Sequence, residues 1–135
     1  MKKVHVLSTT VILLILAITG FTMANEFLTS KGGDLDPAVF KQKLEKKPGV
    51  VIDVRTRQEY EEGHLAKTDK LIDFMGEDFR DRIGELDKNE TYYLYCRTGN
   101  RSGKAMEIMQ EAGFSEVYNV GGFEDLVSAG LEPEQ

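Results

Sequence analysis

The chain has 135 residues, with 17 Lys and Arg against 23 Asp and Glu and a formal net charge of −6. That length suits one domain, and an acidic balance with no basic stripe argues against nucleic acid or an anionic membrane surface as partner. One cysteine and two histidines exclude an internal disulfide and leave too few soft ligands for a zinc site, so no metal is expected.

Met1-Lys2-Lys3 is a basic start, residues 11–18 form an apolar run, and Thr22-Met23-Ala24 offers small residues where a signal peptidase reads. The apolar run is shorter than the ~20 residues that cross a bilayer. The expectation is a cleaved signal peptide over 1–24 and a periplasmic or secreted mature protein, not bound to membrane. An uncleaved N-terminal anchor is the alternative, because Thr19-Gly20-Phe21 extends the apolar stretch. No Cys follows the run, so a lipid-attached form is not expected.

Residues 25–35, polar and glycine-containing, read as a linker, and 36–131 as the folded domain. Asp36-Pro37 is a helix start, with an N-cap acceptor before a proline, and Val39, Phe40 and Leu44 give that helix an apolar side. Lys46-Lys47-Pro48-Gly49 ends it. Val50-Val51-Ile52-Asp53-Val54 has the continuous β-branched character of a strand buried on both faces. Residues 56–62 form a short helical patch closed by Gly63, 70–74 a weaker strand, and 77–86 a helix through Phe79, Ile83 and Leu86. Thr91-Tyr92-Tyr93-Leu94-Tyr95 is the second strong strand and runs into Cys96. A helix follows over 102–112, with Gly113 as its C-terminal cap. Residues 117–120 form a strand, a last short helix runs through Leu126, and 132–135 read as a tail. Strands alternating with helices predict an α/β fold, a mostly parallel sheet with helices on both faces.

A lone thiol in an oxidising compartment is a liability unless it is buried or used. Cys96 stands at the carboxyl end of its strand, where sites form in open α/β sheets. Arg97, Thr98, Gly99, Asn100 and Arg101 follow, and Ser102 opens the helix. Gly99 and Asn100 tolerate left-handed backbone angles, so the loop can curl and aim its amides at one point. Amides converging on the sulfur, with Arg97 and Arg101 beside it, favour the thiolate and hold an anionic donor. The competing reading is that Cys96 is a small core residue, since free Cys is often buried.

Tyr95-Cys96-Arg97-Thr98-Gly99-Asn100-Arg101-Ser102 resembles the active-site loop of the rhodanese family. Val51-Ile52-Asp53-Val54-Arg55, Glu59-Tyr60 and Gly63-His64 resemble that family's first motif, and Gly113-Phe114, Val117-Tyr118-Asn119-Val120 and Gly121-Gly122-Phe123 its closing segment. The likeness runs over about 36–131. It implies a rhodanese fold and sulfane-sulfur transfer, with Cys96 as nucleophile, 97–102 as its cradle, and Asp53 and Arg55 shaping the site. An ion pair between Arg55 and Glu59, four residues apart, is the alternative use of that arginine. His64 has a structural place in the family and is given no catalytic duty. Ala66-Lys67-Thr68-Asp69 stands where many members have Gly-Ala and a later proline, and Leu126 where tryptophan is common, which leaves substrate preference open.

The expected activity is a two-step transfer from thiosulfate or a similar small anionic donor, through a Cys96 persulfide, to cyanide or to a thiol on a small molecule or protein. It requires no cofactor. Small size and the lack of an interface stripe favour a monomer. A non-turnover sulfur carrier or partner-binding module remains a second reading. A cysteine phosphatase or arsenate reductase is a third, disfavoured because the four residues between Cys96 and Arg101 make a tighter loop than a phosphatase uses.

Overall fold

The computed structural model describes residues 31–135. The reading of 1–24 as a signal peptide falls outside them. β1 (Lys31–Asp34) leads to α1 (Pro37–Lys46), where Asp36 caps the helix by accepting from the Ala38 amide at 2.9 Å. Then come β2 (Val50–Asp53), α2 (Arg57–Glu61), β3 (His64–Leu65), β4 (Lys70–Leu71) and α3 (Phe79–Gly84). β5 (Thr91–Cys96), α4 (Asn100–Glu111), β6 (Glu116–Gly122), α5 (Phe123–Ser128) and β7 (Pro133–Glu134) complete the domain.

Five strands form one parallel sheet in the order β1-β6-β5-β2-β4, and β3 pairs antiparallel with β7 in a small second sheet. Side chains of the central strands alternate between two cores, as the two-residue period of a strand requires. Ile52, Tyr92, Leu94 and Cys96 pack on one face with Ala105, Met106 and Met109 of α4. Val51, Tyr93 and Tyr95 pack on the other with Phe40 of α1 and Leu126 of α5. Strands buried on both faces carry no polar alternation, which is why β2 and β5 read as unbroken apolar runs.

Three expectations are corrected. The segment read as a linker contributes β1, an edge strand in register with β6 from Lys31 opposite Glu116 to Asp34 opposite Asn119. Its Gly-Gly centre hides it from any apolar pattern, yet the closeness of the strands demands glycine: a Cβ on Gly32 would lie 1.8 Å from the Val117 carbonyl oxygen. The tail contributes β7, which covers β3. The weak strand at 70–74 keeps ladder pairing only at Lys70 and Leu71, although the Ile72 and Phe74 amides still donate to the Asp53 and Val54 carbonyls.

Candidate functional site

β5 delivers Cys96 to the carboxyl edge of the sheet, and the chain turns back over it at once. Gly99, at φ +91°, makes the turn that side chains disfavour, and it serves as N-cap of α4. Asn100 has ordinary helical geometry and opens the helix, two residues earlier than the sequence pattern placed it. The turn aims the Gly99 amide at the Cys96 Sγ, 3.0 Å away, and the Ser102 hydroxyl lies 3.4 Å from the same sulfur. β6 supports the loop from below, for a Cβ on Gly122 would come within 2.5 Å of the Arg97 carbonyl oxygen.

Burial raises the Cys96 thiol pKa, but the Ser102 hydroxyl and the Ser102, Thr98 and Gly99 amides together outweigh it, and the net shift is downward. Of the amides expected to converge on the sulfur, that of Gly99 is in direct hydrogen-bonding contact with it. The competing reading holds for its burial: Cys96 is 0% exposed, so the sulfur lies on the floor of the cradle and belongs to the core as well as to the loop.

The two loop arginines do different things. Arg97 is exposed and lines a cavity of about 430 Å³ together with Arg55, Glu59, Glu62, Phe123 and Glu124. Arg101 is bound by both carboxylate oxygens of Glu59, at 2.7 and 2.8 Å, and its cation is engaged within the protein. Glu59 is itself fixed by a capping box, accepting from the Thr56 amide while its own amide donates to the Thr56 hydroxyl. The Arg101 charge still interacts through space with the Cys96 sulfur.

The Arg55–Glu59 ion pair is absent, because each residue has a better partner. Arg55, 5% exposed, grips the fully buried Asp53 through Nε at 3.0 Å and Nη2 at 2.7 Å, and donates to the Gly63 carbonyl at 2.7 Å. Its guanidinium carbon stands 4.5 Å from the Phe123 ring centroid. Asp53 and Arg55 thus tie the end of β2 to the cavity wall. His64 stacks on Tyr60 at 3.7 Å between centroids, and its Nδ1 lies 3.1 Å from the Tyr60 carbonyl. Among the described residues, no group of three or more His, Cys, Asp and Glu is placed to hold a metal.

Sequence reasoning missed Glu59 as the partner of Arg101, Phe123 as a wall residue, and Asn119, which bonds Ser102 at 2.7 Å. The Thr56-x-x-Glu59 spacing was a readable sign that Glu59 is fixed in place. Nothing local marks Asn119.

A single-layer sulfur cradle at the carboxyl edge of a five-stranded parallel sheet, with helices on both faces, is an α/β site built around one thiol. The chain belongs to the rhodanese family: the model of the rhodanese-like domain matches residues 36–129. It is 36% identical over 77 residues to thiosulfate sulfurtransferase PspE of Escherichia coli, covering 56% of this chain and 71% of that protein. It is 35% identical over 82 residues to the putative sulfur carrier protein YrkF of Bacillus subtilis, covering 60% and 43%. A tRNA uridine(34) hydroxylase of Cytophaga hutchinsonii is 35% identical over 104 residues, covering 75% and 32%. The chain thus spans less than half of the last two proteins. Among solved structures, a rhodanese-like domain protein from Staphylococcus aureus superposes with a TM-score of 0.63 at 33% identity, over 76% of this chain and 99% of that one.

Proposed function

We propose that this protein is a sulfurtransferase that moves sulfane sulfur from thiosulfate or a similar small anionic donor to a thiol or cyanide. The observation that carries the reading is the Gly99 amide donating to the Cys96 Sγ at 3.0 Å, with Ser102 as a second donor. Donors fixed around a sulfur stabilise the anion before any substrate arrives, which is the form that attacks. The Cys96 thiolate bonds to the outer sulfur of the donor. The donor's sulfur–sulfur bond breaks, and sulfite leaves with the electron pair. Cys96 is left as a persulfide anion. An acceptor thiolate or cyanide then bonds to the terminal sulfur, and Cys96 departs as thiolate. Among the described residues Arg97 is the exposed cation lining the cavity, suited to guide the donor, while Arg101 adds a fixed positive field. Since Cys96 has no exposed area, attack requires the loop above it to give way.

The 36% identity to a thiosulfate sulfurtransferase supports the enzyme reading. The likeness to a putative sulfur carrier keeps a second one, in which the persulfide forms once and passes only to a protein partner. The mature protein is taken to work in the periplasm or outside the cell, on the strength of the 1–24 pattern, and as a monomer, on its small size and lack of an interface stripe. Incubation with thiosulfate followed by intact-mass measurement is expected to add the mass of one sulfur atom to the parent and nothing to Cys96→Ala. An unchanged parent mass overturns the sulfur chemistry. Thiocyanate production over many turnovers separates the enzyme from the carrier.

A further inference from the structure

The Ser102 hydroxyl has two neighbours that want its one proton. Its Oγ is 2.7 Å from Asn119 Oδ1 and 3.4 Å from Cys96 Sγ, and the residue is 0% exposed, so water offers no third choice. The orientation of the Asn119 amide is settled by its other contacts. Nδ2 donates to Asp34 Oδ1 at 2.8 Å and to the Gly99 carbonyl at 3.1 Å, and Oδ1 accepts from the Gly121 amide at 3.3 Å. Turning the amide over would set oxygen against two acceptors and nitrogen against a donor. Asn119 therefore presents an acceptor to Ser102 at all times. It is held there by the strand irregularity between β5 and β6, where the register passes from Leu94 opposite Asn119 to Tyr95 opposite Gly121.

We propose that Asn119 is a positioning residue that competes with the Cys96 sulfur for the Ser102 hydroxyl proton, so that Ser102 donates to the sulfur only while the sulfur is anionic. A neutral thiol or the inner sulfur of a persulfide is a weak acceptor, and the proton then lies on the short bond to Asn119. A thiolate offers a charge-assisted bond, and the hydroxyl turns to it. The cradle accordingly has amide donors that never move and one hydroxyl donor that follows the charge. The same asparagine restrains the Gly99 carbonyl and so keeps the amide side of the turn in place.

The proposal concerns the free thiol and stands whether or not sulfur transfer follows. The charged group acting on the sulfur is Arg101 of α4, with Glu59 of α2 and Asp73 acting through it, while Arg97 of the loop is exposed at the cavity. The Asp53–Arg55 pair lies at the end of the neighbouring strand, and Asp34 of β1 behind Asn119. These groups stay the same with and without Ser102→Ala, so their effects cancel when the two are compared.

Cys96 is the one cysteine of the chain, so its titration can be followed by thiolate ultraviolet absorbance against a Cys96→Ala reference. Ser102→Ala is to be made in the parent, in Asn119→Ala and in Asn119→Asp, with thermal melts to verify folding. In the parent it is expected to raise the thiol pKa by about half a pH unit. With Asn119→Ala the hydroxyl has no competitor, and the shift is expected to be about twice as large. With Asn119→Asp, made together with Asp34→Asn so that an amide N–H again faces the side chain at 119 in place of a second carboxylate, a carboxylate holds the proton, and Ser102→Ala is expected to change nothing. Equal shifts in the three backgrounds, or any other order, overturn the proposal. Should Asn119→Ala fail to fold, the parent and Asn119→Asp decide by themselves. Sulfur loading by mass, measured separately, reports on the transfer reading and not on this one.

Discussion

Glu59 shows what a single side chain can do for both stability and site. The Arg101 guanidinium on both its oxygens, outweighing the cost of burial and helped by the Thr56 amide and hydroxyl, holds its pKa down to about 2 from an ordinary 4.5. A folded-state pKa below the unfolded one means stability that is fully present above pH 4.5 and drains away as the pH falls toward 2. Glu59→Gln is expected to cost about 1–2 kcal/mol at pH 7 and to flatten that acid limb, as read from urea midpoints at a series of pH values. The full shift would imply more, but the side chains keep 25% and 20% of their surface in water. An acid limb unchanged by the substitution would assign it to other carboxylates. At this scale the sequence disclosed Cys96 and its glycine turn, because a thiol at a strand end followed by glycine and a helix is a local arrangement. It misdirected Glu59 toward Arg55, four residues away. The true partner lies 42 positions along the chain, and Arg55 is taken by the buried Asp53.

The elements around the cradle matter through how closely they approach it. β6 ends under the loop at Gly122, whose φ of −96° any residue adopts, so the need for glycine here is one of space and not of backbone freedom. Gly122→Ala would drive a methyl group into the Arg97 carbonyl and lift the loop from the strand. Sulfur loading is expected to fall by at least about tenfold, with a stability loss of about 1–3 kcal/mol, measured by mass-resolved loading rates and chemical denaturation. Loading at the parental rate would show that the loop does not depend on this contact. β2 and β5 were legible as elements because burial on both faces writes a continuous apolar run. α4 was legible too, though its start was misplaced by two residues, since Gly99 supplies the cap without any side-chain signal. β3, β4 and β7 are two-residue pairings and leave no periodic trace.

For the whole molecule, the sheet is finished by β1, which lies before the segment that matches the family. It covers the edge of β6 and places Asp34 on Asn119. An uncovered parallel edge exposes unpaired amides and carbonyls to other chains. Gly32→Ala cannot keep the register, since its methyl group would overlap the Val117 carbonyl oxygen. The variant is expected to lose about 1–3 kcal/mol and to exchange the amide hydrogens of β1 faster, by denaturation and hydrogen exchange. Parental stability and exchange would show that β1 adds nothing to the fold.

By itself the sequence determined the buried central strands and the helices that pack on them, that those strands lie in a parallel sheet, and that one thiol ends the central strand beneath a turn. Those properties follow from residue type and spacing within a few positions, where backbone geometry and burial leave a periodic mark. Only the tertiary structure decided that Arg101 belongs to Glu59, that Asp53 belongs to Arg55, that a glycine-rich lead-in becomes an edge strand, and that Asn119 shares the proton of Ser102. Each of these joins groups from different strands or helices, and a hydrogen bond depends on distance in space, which separation along the chain does not encode.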